Sequence, residues 1–580
     1  MIVPAHNAGQ ALALVVVDEL ARHGIRDAVL SPGSRSTPLA LALAGDERIR
    51  LHVRIDERST AFTALGLARV SGLPVPVLCT SGTAAAEFTP AVLEADQGRV
   101  PLLVLTADRP PELRGVGANQ TIDQIKLYGD AVRWFHELGV PEARPDAVRY
   151  WRSTISQAVA TATGASGAPG PVHVNLPLRE PLVPVDDGIG FPFPLDGRDV
   201  QRPWSEHKRV APTLPTDVHD LLVAAQRGVI VAGDGLTAED AIATSEFAAA
   251  AGWPLLAEPH SNARRGGAAL AGYDAVLRDA VFRDDHVPDV VLVVGRVGLT
   301  RALNEWLSWL PATTAVVVLD RFGGWWDGTR TARLIVSAAA ASLRGVGAAA
   351  SAAEGWVDGW LHAATSAANA VDEVLDSVGL CEPRVVRDLV AAVPDETLIA
   401  IASSMPIRDV DLTMRPRTGV RIVANRGVSG IDGFISTAVG AALAHDRPSW
   451  AIAGDLSALH DVNGLLADPC PDLSIVVINN DGGGIFSLLA QADSVDPRSF
   501  ERVFGTPHGV SFADICRGYG VDHVFVDELA AYQEVIATTP KRLRVIEVRT
   551  DRAANADLHR RLAVAAASAV NARGHPATDA

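Results

Sequence analysis

In three successive stretches, short apolar runs end in turns of small or polar residues and give way to amphipathic helices, and this alternation restricts the fold more than any other property. It is the pattern of a doubly wound parallel sheet, whose strands are buried on both faces and need helical crossovers. The spacing predicts strands at 28–30, 51–55, 75–79, 101–106 and 172–175, then at 228–232, 254–257, 290–294, 315–319 and 334–336, and finally at 398–402, 421–424, 450–453 and 473–478. A chain of 580 residues is too long for a single core. We therefore expect an α/β protein of three doubly wound parallel-sheet domains: 1–184, a linker at 185–212 rich in turn formers and read as a flexible tether, 213–350, an alanine-rich helical connection at 351–374, and 375–580.

Charge and cysteine usage narrow the partners. The net charge of −17 disfavours nucleic acid and anionic membrane surfaces, which are held by basic patches. Lysine stands only at 126, 208 and 541, so arginine, the better bidentate partner of carboxylates, carries nearly all positive charge. Four cysteines, at 79, 381, 470 and 516, form no Cys-x-x-Cys pair, which suits a reducing cytoplasm. The apolar run 11–17 is followed by Asp18 and Glu19 and reads as a helix of the fold, not a secretory signal. No apolar stretch approaches the roughly twenty residues of a membrane span.

Ligands of such sheets bind beyond the carboxyl ends of the strands, so the turns there deserve the closest reading. In the last region one strand ends at Gly454-Asp455 and another at Asn479-Asn480, followed by Asp481 and glycines at 482 to 484. Magnesium takes near-octahedral oxygen ligands and usually keeps phosphate oxygens or waters, so a protein supplies only one or two side-chain oxygens and a carbonyl. Asp455, Asn480 and the Gly482 carbonyl meet that need, and the glycines let backbone approach an anion. A second Gly-Asp-Gly, at 233 to 235, lacks the later asparagine pair and reads as a plain strand-to-helix turn. In the first region the turns are Ser31-Pro-Gly-Ser-Arg-Ser-Thr37, Asp56-Glu57-Arg58, Thr80-Ser-Gly-Thr83 and the stretch from Ala107 to Gln120. Glu57, taken alone, reads as an acid facing a helix N-terminus; its place in the whole pattern singles it out. Arg35, Arg109, Arg408 and Arg426 all stand just past strand ends, together a set suited to a polycarboxylate. No Gly-x-Gly-x-x-Gly opens a helix in the middle region, so a dinucleotide is not expected there, and Arg301 reads as a solvated side chain. His460 reads as a helix cap, with contact to a ligand at the strand tip as the alternative.

Gly-Asp followed about twenty-five residues later by Asn-Asn resembles the cofactor motif of the thiamine diphosphate enzymes. Leu456 replaces that motif's usual third glycine. With Ala-Asn-Arg-Gly-Val-Ser-Gly-Ile-Asp-Gly at 424 to 433, Thr-Ala-Asp-Arg-Pro-Pro-Glu-Leu at 106 to 113 and the turns above, the chain resembles the menaquinone-pathway branch of that family over nearly its whole length. The resemblance implies a transferase using thiamine diphosphate and magnesium, with manganese able to substitute. It implies decarboxylation of 2-oxoglutarate and 1,4-addition of the succinyl carbanion equivalent to isochorismate. It further implies a homo-oligomer, a dimer or a dimer of dimers, with active sites at the subunit interface where Glu57 of one chain meets Asp455 of another.

Residue roles follow from the same resemblance. Glu57 would activate the aminopyrimidine, and Asp455, Asn480 and Gly482 would hold the metal. Thr80, Gly82, Gly454, Leu456, Ser457 and Gly483 would contact the cofactor, with Ile431 wedged beneath it. Arg408, Arg426 and Ser404 would take the succinyl carboxylate. Ser34, Arg35, Arg109, Asn119 and Gln120 would line the isochorismate side, and Ile485 and Phe486 would form an apolar wall that excludes water. An acetohydroxyacid synthase or 2-oxoacid decarboxylase would share the magnesium motif and the glutamate, but pyruvate would not need so many arginines.

Overall fold

The structure, a computed structural model, describes residues 5–185, 190–347 and 349–572. It contains three parallel sheets with helices between their strands, as the alternation predicts. The first holds β1 (Asp27–Leu30), β2 (Arg50–Val53), β3 (Val75–Cys79), β4 (Leu102–Asp108), β5 (Trp134–Glu137) and β6 (Pro171–Pro177) in the order β2-β1-β3-β4-β6-β5. The second holds β7 (Gly228–Ala232), β8 (Leu255–Ala257), β9 (Val290–Val294), β10 (Ala315–Asp320) and β11 (Leu334–Ser337), ordered β11-β10-β9-β7-β8. The third holds β12 (Thr397–Ile401), β13 (Val420–Val423), β14 (Ser449–Gly454), β15 (Leu473–Asn479), β16 (Asp522–Val526) and β17 (Arg544–Arg549), ordered β13-β12-β14-β15-β17-β16.

Most of the strands are apolar along their length because successive side chains enter opposite cores. In the first sheet Val29, Val77 and Val104 pack into one core, while Leu30, Leu78 and Leu105 pack into the other. The second sheet divides the same way, with Val231 and Val293 on one side and Ile230 and Leu292 on the other. Residues 11–17 lie in a helix, Ala8–Arg22, and most of them are buried in the first core. Among the described residues no helix is long and apolar enough to cross a membrane.

These sheets fall into two compact units. One comprises Met1–Arg209, Asn425–Arg447 and Ser457–Leu473; the other comprises Val210–Ala424, Pro448–Leu456 and Ser474–Ala580. In the first unit, helix Glu57–Ser71 packs on helix Phe434–His445 with no room for side chains at the crossing. A Cβ on Gly66 would lie 2.1 Å from the Thr437 carbonyl oxygen, and one on Gly440 would lie 2.1 Å from that of Thr63. Glycine at both positions allows the close approach.

Of the expected linker, 186–189 lie outside the described residues. The part up to 209 departs from a flexible tether. Leu195 is buried in the first core and its carbonyl accepts from Arg152 Nη2 at 2.6 Å, while Arg22 Nη1 donates to the Arg198 carbonyl at 2.8 Å. Arg152 is itself fully buried between Asp18 and Glu19, so it needs this fixed acceptor, and the segment stays where the arginine holds it.

Candidate active site

In the second unit the order of the third sheet reverses between β12 and β14, the position at which such sheets open a crevice. Ser404 follows β12 at φ 75°, a left-handed conformation that a serine adopts at a cost of order 1–3 kcal/mol. Its carbonyl accepts from Arg408 Nη1 at 2.5 Å, and the Arg408 side chain is exposed. Asp455 stands at the tip of β14, and Asn480 just past the neighbouring β15. The Asp455 carboxylate is 2 % exposed. It accepts from Leu456 N at 2.6 Å, from Gly482 N at 2.9 Å and from His508 Nε2 at 3.3 Å. Burial raises its pKa against the opposing pull of these donors. The 480–482 turn is thereby held directly against Asp455.

The two asparagines divide their work. Asn479 is fully buried, donates to Glu547 Oε1 at 2.6 Å, and accepts from Asp481 N at 3.1 Å. Asn480 donates through Nδ2 to Glu382 Oε1 at 2.8 Å, and its Oδ1 is a buried acceptor without a hydrogen-bond partner. Gly482 sits at φ 138°, where a Cβ would lie 1.9 Å from the Gly505 carbonyl oxygen, so only glycine fits. Gly483 N donates to that same carbonyl at 2.8 Å. Beyond it the rings of Phe486 and Phe504 lie 5.4 Å apart, beside a partly buried Ile485.

One buried carboxylate, one orphaned amide oxygen and a glycine-rich turn suit a divalent ion that takes its remaining ligands from a diphosphate. Among the described residues, no cluster of three or more His, Cys, Asp or Glu side chains could hold a metal. His508 lies outside the motif that the sequence spacing marks. Its Nδ1 accepts from Val510 N at 3.0 Å, so the ring proton sits on Nε2 and faces Asp455. Its signal was a lone histidine some fifty residues from the motif, which no spacing rule connects to it.

In the first unit, Glu57 opens helix Glu57–Ser71 and is partly buried. Its pKa is raised, first by burial and then by the Asp56 and Glu87 carboxylates, so a helix N-terminus has not made it an ordinary stabilised anion. Asp56 caps the helix by accepting from Ser59 N at 3.2 Å and also accepts from Asn463 Nδ2 at 2.7 Å. Asp461, fully buried, accepts from Ser59 Oγ at 3.1 Å, Ser436 N at 2.7 Å and Ser436 Oγ at 3.0 Å, and burial pushes its pKa up to about 6. Segment 457–463 thus stitches the starts of helices Glu57–Ser71 and Phe434–His445, and His460 is the last residue of helix Asp455–His460. His460 offers its carbonyl to Arg58 Nη2 at 2.7 Å. Ser457 Oγ donates to the carbonyl of Ile431 at 3.0 Å.

At the tips of β1, β3 and β4, Arg35, Thr80, Gly82, Arg109 and Gln120 come together around Ser81. Arg35 N donates to Thr80 Oγ1 at 3.2 Å, Arg109 Nη1 donates to Ser81 Oγ at 2.6 Å, and Gln120 Nε2 donates to the Ser81 carbonyl at 3.0 Å. A Cβ on Gly82 would meet Gln120 Cγ at 3.0 Å. Arg35 is 8 % exposed with Nε unpartnered; its Nη1 lies 3.3 Å from a Glu180 carboxylate oxygen and donates to the Leu178 carbonyl at 3.0 Å, and its pKa is lowered by burial and then by the Arg109 charge. Gln120 adopts φ 53°, and Ser34, Asn119 and Gln120 are exposed. Arg426 also belongs to this unit, next to Gly427 and Val428, whose amides donate to buried Glu94 at 2.7 Å each. Arg301, in the second unit, is exposed and paired with Glu305 at 2.6 Å, as a solvated arginine would be.

Comparison with known proteins places this geometry. Residues 10–127 match the family described as thiamine pyrophosphate enzyme, N-terminal TPP binding domain; 198–401 match the middle domain of thiamine pyrophosphate enzymes, and 412–548 match the C-terminal TPP binding domain. Fold and site therefore define a thiamine diphosphate-dependent enzyme. A protein of Thermobifida fusca named 2-succinyl-5-enolpyruvyl-6-hydroxy-3-cyclohexene-1-carboxylate synthase is 51% identical, covering 97% of this chain and all of the relative. One of the same name from Geobacillus kaustophilus is 42% identical, covering 96% of this chain and 97% of the relative. The chain belongs to the family of these synthases. The fold is also that of benzoylformate decarboxylase from Polynucleobacter necessarius, with a TM-score of 0.70 at 18% identity over 93% of this chain and 98% of that one.

Proposed function

We propose that the protein decarboxylates 2-oxoglutarate and adds the resulting four-carbon unit to isochorismate, giving 2-succinyl-5-enolpyruvyl-6-hydroxy-3-cyclohexene-1-carboxylate in menaquinone biosynthesis. What carries the reading is the shared name of the full-length relatives, whose product bears a succinyl group on a cyclohexene carboxylate. The arginines at strand tips agree with it, since both substrates carry two carboxylates. Thiamine diphosphate, when bound, supplies the electron sink that decarboxylation of a 2-oxoacid requires.

The chain's own residues have distinct tasks in this reading. Asp455, Asn480 and the Gly482 carbonyl would hold magnesium, or manganese in its place, and the glycine-rich backbone with Gly454, Leu456 and Ser457 would accommodate the diphosphate. Glu57, whose pKa burial raises, would stand against the aminopyrimidine and hold a proton there. Thr80 and Gly82 would shape the pyrimidine side, and Ile431 would buttress the ring, a preorganisation that lowers the entropy cost of the barrier. Ser404, Arg408 and Arg426 orient the 2-oxoglutarate carboxylates. Ser34, Arg35, Arg109, Asn119 and Gln120 orient isochorismate. Ile485 and Phe486 keep water from the reacting carbon. The region 1–184 acts as the pyrimidine-binding part and 375–580 as the diphosphate-binding part. The working form is a homo-oligomer in which Glu57 of one chain serves the metal site of another, and the compartment is the cytoplasm.

The test is to supply the protein with thiamine diphosphate and magnesium and compare carbon dioxide release from 2-oxoglutarate and from pyruvate, then follow loss of isochorismate absorbance. Release from 2-oxoglutarate with isochorismate consumption is expected; preference for pyruvate would move the protein to another branch of the family.

A further inference from the structure

Resting on the reading of Asn480 as a metal ligand, we propose that Glu382 is the positioning residue that sets which end of the Asn480 amide meets the ion. An asparagine side chain has a donor end and an acceptor end of nearly the same shape, and only the acceptor end can ligate a cation. Something must choose between them. Glu382 opens helix Glu382–Ala392, is 2 % exposed, and has no part in the cofactor motif. Its Oε1 accepts from Asn480 Nδ2 at 2.8 Å and from Thr550 Oγ1 at 3.2 Å. Thr550 follows β17 and donates its own N–H to the Asn479 carbonyl at 3.0 Å, so the same short stretch that holds the base of the asparagine pair also fixes the Glu382 carboxyl.

With Nδ2 committed to Glu382, Oδ1 has to face the other way. It is there that the structure leaves a buried acceptor without a partner, next to the strand tip bearing Asp455. An orphaned amide oxygen in a protein interior costs free energy unless a donor or cation answers it. Groups that hold a ligand's far end commonly tune metal affinity by about 10–100-fold without touching the metal.

The experiment titrates Mn2+ into the full-length protein in the presence of thiamine diphosphate and reads free ion by electron paramagnetic resonance. Glu382→Leu, which keeps volume but removes the acceptor, is expected to weaken Mn2+ binding about 10–100-fold. Glu382→Gln, whose amide oxygen still accepts, is expected to stay near the parent, a rescue that a purely structural role would not give. Asn480→Ala should weaken binding at least as much as Glu382→Leu. Unchanged binding in Glu382→Leu beside a loss in Asn480→Ala overturns this inference alone; unchanged binding in Asn480→Ala overturns the metal-site reading with it. Should Glu382→Leu fail to fold, Asn480→Asp reads the same contact. Alone it sets two acceptors face to face and weakens Mn2+ binding, and combined with Glu382→Gln it recovers; absence of recovery overturns the assignment.

Discussion

The first and third sheets have the same strand order, each counted from its own first strand, and the middle sheet has another; what differs more is how their tips end. In the first sheet the tips carry arginines and hydroxyls around Ser81. In the third they carry a buried carboxylate and an unanswered amide oxygen. At the middle sheet's reversal point, between β7 and β9, the tips close on themselves: Asp234 and Arg296 exchange backbone hydrogen bonds at 2.7 and 2.9 Å and pair through their side chains at 3.0 Å. Glu258, 1 % exposed, accepts from the amides of Gly298 and Leu299 at 2.9 and 2.6 Å. One architecture thus yields two open tips of opposite polarity and one sealed one, which is why chemistry has to be argued from the tips and not from the sheets.

The largest expected effect is at the third sheet. Asp455→Ala should abolish magnesium-dependent cofactor retention and lower turnover by about a thousandfold or more, as loss of several kcal/mol at a metal site implies; calorimetric titration with thiamine diphosphate and Mg2+ reads the first part. If binding persists, the contrast between the open tips is wrong. At the first unit, Glu57→Gln should leave cofactor binding near the parental level while turnover falls by about 10²–10⁴. A variant that turns over like the parent would reduce Glu57 to a helix acid. Arg408→Ala and Arg109→Ala should each raise the KM of one substrate and not the other by about ten- to a hundredfold, the worth of one charge-assisted hydrogen bond.

Stability reads the stitching of the Glu57 helix. The Asp461 carboxyl is raised to about 6, so the stability it contributes is complete below the ordinary carboxyl range and is lost as pH rises through 6. The melting temperature of the cofactor-free protein should therefore fall between pH 4 and 7 by a few degrees more in the parent than in Asp461→Asn. The smallest effect belongs to the sealed sheet. Arg344→Ala, on a helix of the same region, breaks an exposed pair with Glu246 (2.8 Å) and should barely move the melting temperature while leaving kcat/KM unaltered; a kinetic effect would mean that the middle sheet takes part in the reaction.

Much of this was legible in the sequence because buried parallel strands announce themselves as apolar runs. All fourteen expected strands occur, with ends displaced by a few residues at most. β5, β16 and β17 were not anticipated. β5 and β16 are edge strands only partly covered, and β17 is interrupted by Arg544, Glu547 and Arg549, with Glu547 turned to Asn479 and His523, so none shows a continuous apolar run. The Gly454-Asp455 and Asn479-Asn480 tips were legible from their spacing. Glu382 and His508 were not, because they reach Asn480 and Asp455 from segments 98 and 53 residues away in the chain. The stitching of helix Glu57–Ser71 by Asp461 and Asn463 was equally hidden, since a separation of about four hundred residues leaves no local pattern.

The most direct test of the central claim is a crystal structure with thiamine diphosphate and Mn2+, read by the anomalous scattering of the metal. The account predicts one peak about 2.1–2.3 Å from Asp455 and from Asn480 Oδ1, with the Gly482 carbonyl as a third protein ligand. A peak bound elsewhere, or Asn480 turned so that Nδ2 faces the metal, would contradict it.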